Sequence, residues 1–409
     1  MILQQAKSNN RWIYIIIGIL IMMLLGTVYS YSIFRVSLER EWQIGRAESG
    51  MPYMASLAFY ALFMFLTGRY IEKFSAKKVF IFGSILVSIG WILSSFVTNI
   101  YLLTITYGVV SGAGVGIAYG VPMTVIAKWF PDKKGIAVGL VLLGFGLSPL
   151  ITAPVVRYLV ENYGLMTMFL ISGVSFGVIL PILSVTLKYP TYNEIEEFIK
   201  KNKNEANSIE IPLKEMIRTT SFKGIYLNFI IGTMIGLMMI GMTTSIGLEY
   251  FKLELSTVTN LMAIFAIFNG LGRPIFGWIT DSYSLKFSMI LSYTLIALST
   301  IGLATLNNHI IVYIITISIF WFNLGGWLAI APTSTLKLYG IKSYSQNYGL
   351  VFTAYGIGAI AGSSTSGMLL DYNGNYHYVF YYILALCFSG ILITIKYINK
   401  GNHDNRYCE

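Results

Sequence analysis

The sequence predicts an all-α membrane protein of twelve transmembrane helices in two six-helix pseudo-repeats, and three observations predict it. Apolar residue types make up 56% of the 409 residues and charged types only 11%, whereas a soluble domain carries about 25% charged residues. Apolar runs of the roughly 20 residues needed to cross a hydrocarbon core recur along the whole chain. The two halves of the chain also repeat one another at a nearly constant offset. Within a bilayer the backbone must satisfy its own polar groups, which leaves helices or a closed barrel. Runs such as WIYIIIGILIMMLLGTVYSYSIF are continuous and longer than the alternating segments of about ten residues that build barrels.

The elements follow in order. The run 12–34 is too long for a signal-peptide core and no small-residue cleavage site follows it, so it is read as a retained first helix. Spans at 52–68 and 79–98 come next, separated by a short basic loop. The fourth span, 101–126, carries Gly112, Gly114 and Gly116, and the fifth, 135–159, carries Gly144 and Gly146. The G-x-G-x-G spacing is not a nucleotide fingerprint, because no strand precedes it. These glycines are read as smooth faces where helices approach closely and halves can rock. Span 166–187 completes the first six. Lys188 to Lys223 contains EIEEFIKKNKNEANSIEIPLKEMIR, the one long polar stretch, and reads as a solvated, partly helical linker. Spans 224–248, 257–279, 287–306, 310–334, 347–369 and 377–396 complete the second six. The expected division is therefore 1–187, a six-helix bundle; 188–223, a cytoplasmic linker; and 224–409, a second bundle with a cytoplasmic tail.

Orientation follows from the basic residues of the loops. Of the 28 lysines and arginines, twenty-two lie in or beside segments on the side of the termini, five lie on the opposite side, and Arg273 is inside a span. Both termini are expected in the cytoplasm of a cell-membrane protein. The net charge of +10 then faces an anionic leaflet and requires no nucleic acid. Cys387 and Cys408, with His309, His377 and His403, give neither a disulfide framework nor metal-ligand spacing. The spans hold no cluster of His, Asp, Glu or Cys, which argues against an integral-membrane enzyme. No cofactor is expected.

The repeat is specific. Gly68-Arg69-Tyr70-Ile71-Glu72-Lys73-Phe74-Ser75 after the second span matches Gly277-Trp278-Ile279-Thr280-Asp281-Ser282-Tyr283-Ser284 after the eighth. Pro122 and Pro332, Gly139 and Gly349, Gly146 and Gly356, Glu161 and Asp371, and Gly164 and Gly374 pair at a single further offset. Parallel six-helix repeats are one architecture of alternating-access carriers, with substrate bound at the midplane between them. Arg273 is the one basic residue deep within a helix. A charge at mid-membrane costs at least about 2.5–3.5 kcal/mol and faces a cavity or a partner. No Asp or Glu shares its span, and Asn269 one turn earlier is neutral. Its planar donor fork suits a carboxylate; the alternative is an arginine that snorkels or bonds to carbonyls.

The loop Gly68-Arg69-Tyr70-Ile71-Glu72-Lys73 resembles the signature of the major facilitator superfamily, with Glu72 where Asp is usual and Ser75 where Gly is usual. GAGVGIAYGVPMTVIAKWFPDKKGIAVGLVLLGFGLSPL, GTVYSYSIF and FNGLGRPIFGWITD are similar to the oxalate/formate antiporter family and its monocarboxylate-carrying relatives. The resemblance covers nearly the whole chain. It implies the major facilitator fold, with Gly68, Arg69, Glu72, Lys73 and Asp281 as a gate whose charges pair across the cytoplasmic ends. Lys128, Asp132, Lys133 and Lys134 flank the next cytoplasmic loop. It also implies that Arg273 binds the substrate carboxylate and that Tyr29, Tyr119, Phe145 and Phe352 line the pocket, with Trp321 and Trp327 as further candidates. Oxalate-exchanging members have a second basic residue on the eleventh helix, where this sequence has Tyr355. Leu324 and Leu328 stand where those members have larger aromatics. One cation and a phenol suit a monoanion, so the expected function is secondary transport of a monocarboxylate such as formate, acetate, lactate or pyruvate. An oxalate/formate-type exchanger and a carboxylate sensor on the same fold are the alternatives. The expected partners are the carboxylate, a co-transported proton or exchanged anion, and the bilayer, with the protein itself a monomer.

Overall fold

A computed structural model describes residues 11–68, 74–130, 134–191, 194, 211–306, 309–340 and 343–398, without the side chains of 134–136 and 345. Every expected span falls on one long helix. These are α1 (Trp12–Trp42), α2 (Arg46–Gly68), α3 (Ala76–Ser94), α4 (Ile100–Trp129), α5 (Lys134–Tyr163) and α6 (Leu165–Ser184). The second six are α7 (Thr220–Tyr250), α8 (Leu255–Ser282), α9 (Leu285–Thr305), α10 (Ile310–Tyr339), α11 (Tyr344–Asn373) and α12 (Tyr376–Tyr397). Eleven are long and apolar enough to cross a membrane. The twelfth, α11, runs for 30 residues and includes the polar stretch GSSTSG at 362–367. Hydroxyls on that helix bond back to its own backbone, as in Thr365 Oγ1 to the Ala361 carbonyl at 2.6 Å. An even number of crossings leaves both ends of the described chain on one side, called here the terminal side.

Several helices extend past the expected ends, because hydropathy fades at the first charge while backbone pairing does not. α1 continues from 34 to Trp42 and carries Arg35 and Glu39 one turn apart, paired at 3.0 Å. α7 starts at Thr220, where the Thr219 hydroxyl accepts from the Phe222 N–H, so the end of the expected linker is helical. Before it, Leu213–Met216 forms a single turn and the Ile211 N–H donates to the Tyr339 carbonyl. Residues 195–210 lie outside the described chain.

The pseudo-repeat is visible in backbone detail. Ser75 and Ser284 cap α3 and α9 identically, each side chain accepting from the N–H three residues on. Gly164 and Gly374 both take positive φ, 80° and 63°, in the turns after α5 and α11, a conformation glycine adopts without strain. Burial separates the helices into layers. In the crossing windows 78% of α7 and 72% of α4 is buried, against 33% of α6 and of α12. Helices α1, α4, α7 and α10 therefore form the centre, while α3, α6, α9 and α12 present residues such as Phe82, Ile182 and Phe388 outward. On a protein in water such a surface would be an aggregation liability; on this fold it meets lipid.

The two sets of six meet along α5–α8 and α2–α11, related by the repeat. Gly146 of α5 lies against Asn269 and Gly270, and its counterpart Gly356 of α11 lies against Ala58 and Ala61. The remaining glycines serve packing within the first half: Gly112 and Gly116 sit on the α2 backbone, Gly114 on α3, and Gly144 on α1 at the Ile19 carbonyl.

Candidate functional site

Arg273 is 4% exposed, on α8 beside Pro274. Proline lacks the N–H that would close on the Gly270 carbonyl, loosening the helix at this level. Gly272 and Gly325 let the α8 and α10 backbones touch, so little room is left between them. The guanidinium reaches α5 instead, where Nη1 donates to the Leu142 carbonyl. Among the described residues Nε and Nη2 make no hydrogen bond of good geometry, although the Tyr119 hydroxyl lies close to the guanidinium. These two nitrogens share one edge of the planar group, the edge that holds a carboxylate through two parallel bonds. Among the described residues no carboxylate forms an ion pair with it.

Aromatic residues from both halves surround this level. Tyr29 sits in the 3₁₀ turn Gly26–Ser30 that interrupts α1, and its hydroxyl lies 3.0 Å from that of Tyr355 on α11. Pro149 leaves the Phe145 carbonyl without its helical donor, and Gly26 packs directly against that carbonyl. Phe145 in turn meets the Tyr29 ring edge-on at 5.1 Å and the Tyr119 ring at 5.3 Å. Phe352 stacks on Tyr355 at 5.0 Å and on Tyr119 at 6.2 Å. Tyr29 and Tyr119 both lie within range of the Arg273 charge. All six residues expected to bind substrate thus form one cluster, closed to solvent.

Tyr60 and Tyr348 belong to this cluster and were not expected. Tyr60 on α2 is its hub, with ring distances of 5.0 Å to Tyr119, 5.9 Å to Phe145, 5.3 Å to Phe352 and 5.7 Å to Tyr355. Tyr348, one turn before Phe352, packs against it at 5.7 Å. The available signal was Tyr53 and Tyr60 at a seven-residue spacing on one face of α2, but in a chain with 15% aromatics such pairs are common. Of the tryptophans, Trp321 joins the cluster edge-on to Tyr29 at 6.4 Å and donates to Thr243 Oγ1. Trp327 packs away from it, against Gly232 and Tyr293 within the second half. Leu324 and Leu328 are buried on α10, Leu324 against Gly236.

The expected gate is described only in part. Gly68 ends α2, while Arg69, Glu72 and Lys73 lie outside the described residues, as do Asp132, Lys133 and the side chain of Lys134. Asp281 pairs with Lys337 at 2.9 Å, inside its own half. Lys128 stands over the Tyr189 ring at 3.9 Å. The sequence reading missed the charged residues of the opposite side. Arg35, 6% exposed, donates to Glu39, to Ser49 Oγ, to the Arg46 carbonyl and, in the other half, to the Gly241 carbonyl at 3.2 Å. Ending the first span at 34 had placed Arg35 in a loop; the Arg35–Glu39 spacing of four was the signal for continued helix.

The site offers one guanidinium edge and several phenolic hydroxyls, a set that can surround a small anion and exclude water from it. A family model described as Major Facilitator Superfamily matches residues 12–337 and again 227–407. The Oxalate:formate antiporter of Oxalobacter formigenes is 26% identical over 358 residues, covering 87% of this chain and 84% of that protein. Monocarboxylate transporter 12 of Xenopus laevis is 27% identical over 361 residues, covering 81% and 77%. Among solved structures, a bacterial homolog of the human lysosomal transporter Spinster, inward-facing and occupied, superposes with a TM-score of 0.68 over 94% of each chain. Its identity of 13% carries the fold alone.

Proposed function

From the premise that the chain belongs to the Major Facilitator Superfamily, a family of membrane transporters, we propose that it carries a small monocarboxylate by alternating access. The formate, acetate, lactate and pyruvate types are the candidates. One observation carries this reading: the Nε–Nη2 edge of Arg273 is buried, charged and unpartnered amid aromatics from both halves. A buried donor without a partner costs about 1–3 kcal/mol, more when charged. A carboxylate on that edge removes the cost and neutralises the charge. Tyr29, Tyr119 and Tyr355 supply neutral donors, and Phe145 and Phe352 supply apolar walls. The names of the relatives support a carboxylate cargo.

A single cation favours a single carboxylate. An oxalate/formate-type exchanger is the second reading, favoured by the similarity to the Oxalobacter protein. In this reading of the whole chain, two six-helix bundles at 1–187 and 224–409 rock about the site, both termini face the cytoplasm, and the monomer is the working unit. The test is uptake of labelled monocarboxylates into proteoliposomes, with unlabelled mono- and dicarboxylates as competitors. Saturable uptake blocked by monocarboxylates supports the proposal. Equal competition by oxalate shifts it to the exchanger, and the absence of uptake or exchange of any carboxylate removes it.

A further inference from the structure

On the side remote from the termini the halves are joined by hydrogen bonds that no transport site requires. The start of α2 supplies most of them. Asp371, at the end of α11, accepts from the backbone N–H of Arg46 at 2.9 Å and of Ala47 at 2.7 Å. These amides belong to the first turn of α2, whose own preceding residue, Gly45, has no side chain to cap them. Arg46 also pairs through its guanidinium with Glu249 of α7, and Tyr376 of α12 donates to the same Glu249 carboxylate at 2.9 Å. Arg35 reaches the Gly241 carbonyl of α7, and Thr244 of α7 donates to Ser32 of α1 at 3.0 Å.

The backbone shape fits this contact. A side chain on Gly45 would meet Asp371 at 3.2 Å, and one on Gly367 would meet the Ala47 backbone at 2.6 Å. The contact is unequal within the repeat. Glu161, the counterpart of Asp371, pairs with Arg157 of its own helix at 3.7 Å and leaves the start of α8 alone.

We propose that the N-terminal turn of α2 is a detachable plug that closes the remote side of the carrier, with Asp371 and Glu249 as its receptors. Closing caps α2 from the other half and pairs Arg46. Opening exposes the amides and the arginine to water, which can hydrate them, so the two states are balanced rather than one being fixed. Asp371 and Glu249 act on the gate and touch no substrate.

The proposal rests on alternating access as put forward above, and two measurements separate it from the cargo. The first uses Thr244→Cys in a background where Cys387 and Cys408 are serine, with a membrane-impermeant maleimide added on the remote side. Asp371→Ala, which removes both acceptors, should raise the labelling rate about tenfold, the weight of a lost helix cap, and Glu249→Gln, which removes the charge paired with Arg46, should raise it as well. Unchanged rates in both folded variants overturn the plug, whatever the cargo. The second uses Gly50→Cys with Ser363→Cys. A Cβ on Gly50 lies 3.8 Å from that of Ser363, the usual spacing in a disulfide, across the same contact. Oxidation should abolish uptake of a labelled monocarboxylate that the cysteine-free parent carries, and a reductant should restore it. Full uptake by the quantitatively cross-linked protein overturns the plug even if the charge variants fail to fold.

Discussion

A guanidinium within a membrane span costs about 2.5–3.5 kcal/mol on insertion scales, and at Arg273 a single backbone carbonyl offsets part of that. In the proposed function a ligand carboxylate offsets the rest. Replacing Arg273 with alanine should reduce carboxylate uptake at least about 100-fold, the weight of two hydrogen bonds to a charged group. Arg273→Lys should recover little, because an ammonium has no planar edge. Binding measured by thermal shift decides it, since a ligand of the folded state raises Tm by mass action; an undiminished shift with Arg273→Ala would refute the site. In the proposed function Tyr355 is the residue that sets the cargo charge. A second carboxylate beside Arg273 would lack a cation, at a cost of several kcal/mol per ion. Tyr355→Lys should therefore move preference from monocarboxylates toward oxalate and malonate, read by competition against a labelled monocarboxylate. Arg273 was legible in the sequence because a lone charge in an apolar run stands out. Tyr60 was not, because one tyrosine among 29 carries no mark until the neighbours of its ring are known.

At the level of elements, apolar runs located all twelve helices, but their ends were set by capping and charge pairing that hydropathy does not register. The clearest case is α1, eight residues longer than its apolar run; those residues carry Arg35 and Glu39, and the remote side of the molecule was hidden with them. Glycine contacts between elements give a sharper test. A methyl on Gly146 would meet Asn269 at 2.6 Å and the Gly270 backbone at 3.1 Å, prising α5 from α8. Gly146→Ala should cost about 1–3 kcal/mol of overpacking and slow transport accordingly. Gly139→Ala, two turns earlier with nothing within 4 Å, should be silent. Tm and initial uptake rate of both variants check this; equal behaviour of the two would mean that α5 and α8 do not need their close approach.

Across the whole molecule, the offset read from matched residues reappears as matched caps, turns and helix contacts, so the pseudo-repeat was legible before any coordinates. Its breaking was not. Asp371 and Glu161 occupy equivalent positions in the sequence, and only the fold shows that one reaches across the halves while the other stays on its own helix. The proposed orientation in the cell membrane can be checked at the same scale: tags at the two termini should both resist protease added outside intact cells, and cleavage of either would reverse the topology. The cap on α2 also bears on biosynthesis. A ribosome delivers Arg46 and Ala47 more than 300 residues before it delivers Asp371, so the second helix enters the bilayer with its leading amides met only by water or headgroups. The first six helices must therefore hold together as an unfinished assembly whose remote side stays loose. Under the proposed plug that side can close only when the eleventh helix arrives, so a late part of the chain completes an early one.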